Sequence, residues 1–310
     1  MAGIQTEAET KLVNETFFAQ LETPGMQKQA VDAVNDFTRT KMREDGFQRR
    51  ILPFVPISYD ELDAQVDTDN PVKVVEKEPD SPAAVSVPFN KLPSMFYVRG
   101  PKYKVTFARV VTPRFTGDVA KLRTWRMDIR QVLSDNSIKD MLAEEDSKFI
   151  VACNNAMVGQ NAIHPVTGVA HWQSIAGGVT RENLAEALKI QPQTPSRVET
   201  GNVLVNNITI KDVFKFGRTE IGGDMSQDIL KNGWTYTELF GVPHLITIKQ
   251  DLVPTDTEFL FSETRFLGKA YELEAPTMFV KAEAWIIDFF SYESIGVSLI
   301  VNGTCRADFV

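Results

Sequence analysis

The residues able to do chemistry are few, and their spacing builds no recognised site. Three histidines occur, His164, His171 and His244, with two cysteines, Cys153 and Cys305. His164 and His171 stand seven positions apart around Pro165-Val166-Thr167-Gly168. That separation has no established ligand geometry, so they read as structural or solvent-facing histidines. The cysteines form neither a C-x-x-C pair nor a disulfide framework and read as buried thiols of a reducing cytoplasm. Asp67, Asp69 and Glu78 fall at positions one, three and twelve of a calcium loop. Pro71 sits at position five, however, and Val72 stands where the sharp turn needs glycine. Gly217 to Gly222 has the spacing of a phosphate-binding loop, but Gly223 replaces its lysine. G-x-G-x-x-G, H-E-x-x-H and G-x-S-x-G are absent. No catalytic, cofactor-binding or metal-binding residue is assigned, and no cofactor is expected.

Charge clusters offer contact, not catalysis. Between 60 and 80 the acids are Asp60, Glu61, Asp63, Asp67, Asp69, Glu76, Glu78 and Asp80, opposed by Lys73 and Lys77 alone. This run is a solvated face or a dock for a basic patch on a neighbouring subunit. Arg49-Arg50 and the set Arg123, Arg126 and Arg130 are either solvated helix faces or partners for another subunit's carboxylates. Phe96-Tyr97, Phe289-Phe290 and Tyr292 read as core.

The elements that would carry these residues follow from periodicity and punctuation. Thr23-Pro24 opens a helix with Met26, Ala30, Val34 and Phe37 on one face, closed by Gly46; a shorter one spans Leu12 to Leu21. From Ile51 to Arg114 proline recurs nine times, which excludes a continuous helix. Strands are expected there at Met95–Val98 and Lys104–Thr112. Asp118 caps a helix through Leu133, and a second runs from Ser137 to Val158, ended by Gly159. Beyond it, helices are expected at Arg181–Ile190, capped by Thr180, and at Asp224–Asn232. Strands are expected at Val203–Ile210, Val213–Phe216, His244–Lys249, Phe259–Phe261 and Phe266–Glu272. Met278 to Ile286 alternates, and Asn302-Gly303 between two strand-like runs predicts a terminal hairpin.

The 310 residues, 43% hydrophobic and 24% charged, suit a globular protein with a sizeable core. A net charge of −8 does not favour nucleic-acid binding, which needs clustered Lys and Arg, though it does not exclude a container for DNA. The richest apolar stretch, Trp285 to Val301, is interrupted by Asp288 and Glu293, too soon for a membrane span. The start, Met1-Ala2-Gly3-Ile4, has no secretory pattern.

The order of elements resembles the major capsid proteins of tailed bacteriophages, the Hong Kong 97 fold. The likeness is carried by the excursion Tyr59–Thr112, the spine-like Asp140–Gly159, and the blocks Leu239-Phe240-Gly241-Val242-Pro243, Phe259-Leu260-Phe261 and Tyr292 to Phe309. The resemblance implies an α+β fold in five parts. Residues 1–50 would be an N-terminal arm, and 51–115 an extended β-hairpin E-loop with flanking strands. Residues 116–162 would be a P-domain with its long spine helix, 163–274 a mixed α/β A-domain, and 275–310 the P-domain return strands. It further implies self-assembly into hexamers and pentamers of an icosahedral phage head around double-stranded DNA, without sequence-specific binding. Scaffolding, portal and decoration proteins would be partners, in a virion made in the bacterial cytoplasm, with no membrane and no enzymatic role. Some such proteins join an E-loop lysine to a distant asparagine; Lys91, Lys102 or Lys104 with Asn302 would be the counterparts. The arm begins almost at once, which suggests a separate scaffolding protein or none. Two other readings stay open, an encapsulin-like compartment shell and an α/β enzyme without a recognisable motif; a tail or baseplate protein is a third.

Overall fold

The computed structural model describes residues 46–64, 67–76, 102–123, 129–159, 170–194, 197–216, 238–283, 285–300 and 303–310, with isolated positions between 12 and 20 and between 86 and 100. The helices are α1 (Phe47–Ile51), α2 (Val119–Leu122), α3 (Ile129–Gly159), α4 (Arg181–Ile190) and α5 (Thr264–Leu267). The strands begin with β1 (Phe54–Pro56), β2 (Val72–Glu76), β3 (Lys102–Thr106), β4 (Ala108–Val111) and β5 (Phe115–Asp118). They continue with β6 (Trp172–Ile175), β7 (Thr200–Asn206), β8 (Glu238–Leu239) and β9 (Val242–Thr247). The last four are β10 (Thr257–Ser262), β11 (Gly268–Glu283), β12 (Ile286–Leu299) and β13 (Thr304–Phe309).

A six-stranded sheet, in the order β6-β13-β10-β7-β9-β8, lies between helices. Its middle strand β10 buries all six residues, and alternation sends them to two different covers. Phe259 and Phe261, with Leu204 of β7, join Phe149, Ile150, Cys153 and Met157 of α3. Leu260, with Val203, Val205, Cys305 and Ala307, meets Leu184, Ala187 and Ile190 of α4. Each buried large side chain contributes about 1.5–3 kcal/mol of transfer free energy. The position of α4 agrees with the cap read from sequence: Thr180 Oγ1 accepts from the Asn183 amide at 3.2 Å.

The second sheet is built on a long antiparallel ribbon of β11 and β12. β1 runs parallel to β11, and β4 and β5 pair with successive parts of β12. At 16 residues, β11 is about 50 Å long. The two-stranded hairpin β2–β3 packs on one face of the ribbon through Val75, Val105, Phe107 and Tyr271. Gly296 permits this approach, because a Cβ there would meet Val105 at 2.9 Å and Phe107 at 3.1 Å.

Several expected elements differ. The two helices expected from Asp118 to Val158 are a four-residue α2, capped by the Asp118 carboxylate, and a single 31-residue α3. Ser134-Asp135-Asn136-Ser137 resembles a cap sequence, but it holds no Gly or Pro to break the helix, and α3 runs through it. Gly159 ends α3 as expected. The strand expected at Val213–Phe216 is instead the end of a 3₁₀ segment, Thr209–Lys215, with Phe216 capping it; the Asn206 side chain accepts from the Ile208 amide and turns the chain out of β7. The terminal hairpin does not form. β13 leaves β12 and inserts between β6 and β10 of the other sheet. Gly303 serves close packing there: a Cβ would meet the Phe266 carbonyl oxygen at 2.6 Å and Leu267 Cα at 2.7 Å. Position 275, where the sequence-based division begins its fifth part, lies within β11. The expected helices over 23–46 and 224–232 lie outside the described residues, as does nearly all of the strand expected at 95–98.

Candidate assembly surfaces and a buried charge cluster

The hairpin β2–β3 is pinned to itself and leaves its apolar load outside. Its ladder runs from Val72↔Thr106 to Glu76↔Lys102, and the chain between those ends spans residues 77–101. Glu61 pairs with Lys73 at 2.5 Å, Glu76 with Lys102 at 2.9 Å, and Asp67 with Lys104. Three acids of the run therefore meet lysines of the hairpin, and two of the three lysines considered for a cross-link are engaged there. Lys91 is exposed, and Asn302 and Glu78 lie outside the described residues. Within the span, Phe89 is 100% exposed, Leu92 94% and Met95 93%. Burying three such side chains is worth several kcal/mol that one protomer forgoes.

A second apolar surface continues the ribbon face beyond the hairpin. Phe279, Phe290 and Tyr292 form a file with ring centroids 5.0 and 6.3 Å apart, and Arg109 lies over the Tyr292 ring at 5.5 Å. At the ribbon's turn Trp285 is 69% exposed. A third runs along β9, where Ile246 and Ile248 are exposed. Beside it, Phe240 occupies the two-residue turn between β8 and β9 with a φ of 52°, a conformation disfavoured without glycine.

The interior holds the charges. Arg49 of α1 donates from Nε to Glu145 Oε2 at 3.0 Å, and its terminal nitrogen reaches Glu145 at 2.5 Å and Glu293 at 3.0 Å. Glu272 stands 3.7 Å away, and the guanidinium covers the Phe54 ring at 4.9 Å. Beside this cluster Asp146 accepts from the Gln48 amide at 3.0 Å and from Lys249 at 2.6 Å. Burial pushes Asp146 above the usual carboxylate range, although Lys249 and the Gln48 amide oppose the shift. Arg49 is thus paired within its own chain, whereas Arg50 and Arg123 are exposed; the side chains of Arg126 and Arg130 lie outside the described residues.

Glu145, Glu272 and Glu293 were not candidates in the sequence, but a signal existed. Glu145 stands four residues from both Met141 and Phe149, inside the apolar stripe of α3. Glu293 interrupts the apolar run of β12. A charge at a core position needs a partner, which turns each such position into a pointer.

The remaining candidates are structural. His171 is buried, as is His244, whose Nδ1 lies 2.8 Å from the Val242 carbonyl and whose burial favours the neutral ring. Cys153 and Cys305 are buried free thiols; burial raises both, Cys305 to about 12, so neither is a ready nucleophile. His164 and residues 217–223 lie outside the described residues. Among the described residues no cluster could hold a metal ion, and no helix is long and apolar enough to cross a membrane.

No protein-family description matches the sequence, and no curated protein does. Solved structures do match. The capsid of an empty GTA particle shares the fold with a TM-score of 0.60 at 11% identity, over 85% of this chain and 89% of that one. The mature capsid of bacteriophage PhiM1 matches with a TM-score of 0.56 at 10% identity, over 86% and 87%. A virus-like particle from Pyrococcus furiosus matches with a TM-score of 0.51 at 9% identity, over 90% and 99%. The α+β fold expected from the resemblance to phage capsid proteins is the fold this chain has.

Proposed function

We propose that this chain is a major capsid protein, a structural and non-catalytic building block of an icosahedral phage head. Its copies would form hexamers and pentamers around double-stranded DNA, with scaffolding, portal and decoration proteins as partners. The observation that carries the reading is the set Phe89, Leu92 and Met95, held almost fully exposed on a span whose base is fastened to the ribbon. Apolar side chains presented this way suit burial on a neighbouring copy, and repeated head-to-tail burial closes rings and shells. In this reading residues 1–50 act as the arm, and the span between β2 and β3 is the E-loop. The α3 helix is the spine of the P-domain, and the middle of the chain supplies the A-domain. The fold shared with capsids of phage and GTA particles supports it.

Electron microscopy of the purified chain, with its scaffold where one exists, tests the proposal. Rings or closed shells are expected; a persistent monomer would overturn it. A finer test replaces residues 79–98 by a short Gly-Ser turn and keeps β2 and β3. The protomer should fold with unchanged circular dichroism and fail to assemble. Normal shells from that variant would refute the assignment of the span.

A second reading is an encapsulin-like compartment shell; the virus-like particle from Pyrococcus furiosus shares the fold as the phage capsids do. Neighbouring genes discriminate: terminase and portal genes for a phage, a peroxidase or ferritin-like cargo gene for a compartment.

A further inference from the structure

Six ionisable groups converge where α1 docks. They are Arg49 from α1, Glu145 and Asp146 from α3, Glu272 from β11, Glu293 from β12, and Lys249 from the segment after β9. With every group ionised, four carboxylates would face two cations. The side chains of Glu145, Glu293 and Asp146 are fully buried, so water cannot compensate the excess.

One oxygen shows where a proton belongs. Glu293 Oε2 accepts from Arg49, but Glu293 Oε1 is buried and meets no donor. Glu293 and Glu145 meet the same terminal nitrogen of Arg49, at 3.0 and 2.5 Å, which makes their carboxyl groups neighbours, and Glu145 already holds Arg49 with both oxygens. Two carboxylates in that relation repel, whereas a carboxyl and a carboxylate bind. A proton between them satisfies the orphaned oxygen and removes one uncompensated charge.

We propose that a proton shared between Glu145 and Glu293 is a latch that holds α1 against α3 and the β11–β12 ribbon, and that alkaline pH opens it. Burial and the Glu145 charge both push Glu293 well above the ordinary glutamate range, in the direction the latch requires. A carboxyl whose folded value lies above its unfolded value stabilises the folded form fully below the ordinary range. That stability is lost as pH rises toward the folded value. The loss falls first on α1, because five residues flanked by extended backbone can undock before the sheets separate. The proposal concerns the protomer and does not depend on shell assembly.

Hydrogen–deuterium exchange of the full chain at pH 5 and pH 9, expressed as protection factors, tests it. In the unaltered protein the peptide over residues 47–52 should lose protection by about ten-fold or more between those pH values, one pKa unit of linkage being ten-fold. Peptides from β10 and β13 should change less. Glu293→Gln keeps the hydrogen bond without the titration, so its 47–52 peptide should stay protected at pH 9. Glu272→Gln removes only the more accessible carboxylate at the rim and should keep the pH dependence. Protection of 47–52 that is flat with pH in the unaltered chain, or that falls equally in Glu293→Gln, would overturn the proposal. If Glu293→Gln proved unfolded in β10 and β13, the comparison of unaltered chain with Glu272→Gln would still decide it: a response abolished by Glu272→Gln would place the proton elsewhere.

Discussion

The hairpin β2–β3 and the dock of α1 are both fastened by ion pairs, yet the two fastenings work differently. In the hairpin, Glu61–Lys73, Asp67–Lys104 and Glu76–Lys102 bridge partly or well exposed side chains, one acid to one base. At the dock one arginine meets three carboxylates with almost no water. Exposed pairs gain little because water solvates either partner alone, whereas a buried group that loses its partner has nowhere to place its charge. The hairpin's pairs therefore guide register, and its hold on the ribbon comes from Val75, Val105 and Phe107. The cluster at the dock is a structural commitment.

Removing the arginine should give the largest effect. Arg49→Ala leaves Glu145 and Glu293 buried beside each other without a cation and should cost about 3–5 kcal/mol in urea unfolding. Arg49→Met keeps the stem over Phe54 but not the charge, and should recover only a small part of that loss. Full recovery in Arg49→Met would show that Arg49 acts through packing alone.

A carboxyl with no cation in reach among the described residues sharpens the contrast. Glu258 on β10 lies opposite Val205 and Ala307, on the face that Leu260 shares with the α4 core. Burial raises it to about 8. The folded form keeps its proton where the unfolded chain has lost it, so stability is greatest below the ordinary glutamate range and falls as pH rises through about 8. The slope for one proton is about 1.4 kcal/mol per pH unit. Glu258→Gln should remove that slope between pH 5 and pH 8 from a series of urea midpoints. An unchanged slope would mean that Glu258 reaches water in solution.

Where β13 joins the six-stranded sheet, Gly303→Ala puts a methyl against the Phe266 carbonyl and Leu267 Cα and should cost about 1–3 kcal/mol without changing pH dependence.

The legible parts of the molecule are those that local pattern determines. Thr180 with Arg181–Ile190 declares a capped amphipathic helix, and Gly159 stops α3 where it should. Alternation from Met278 to Ile286 marks a strand, though not that it is continuous with the strand read at Phe266–Glu272 or that Ile286 already belongs to the returning strand of a ribbon. What periodicity cannot convey is which sheet a strand joins. Thr304–Phe309 follows a turn signal and resembles half a hairpin, but its apolar residues Cys305 and Ala307 fit the α4 face of the other sheet. The ion cluster was hidden for the same reason. Arg49, Glu145 and Glu293 are far apart in sequence, and only tertiary structure shows that they are partners. Its trace was a misfit, an acid in an apolar stripe, that local reading passes over.

The smallest effect should come from the hairpin lysines. Lys102→Ala with Lys104→Ala removes two of three pairs from β3, and both side chains are well exposed. The released carboxylates Glu76 and Asp67 keep their hydration, so nothing buried loses a partner. The protomer should melt where the unaltered protein does, with any difference vanishing as salt is raised. If the pairs guide register without holding the fold, their loss should appear in exchange of the β2–β3 amides and not in global unfolding. A large drop in global stability would show that the hairpin is fastened as the dock is, and would erase the distinction between the two regions.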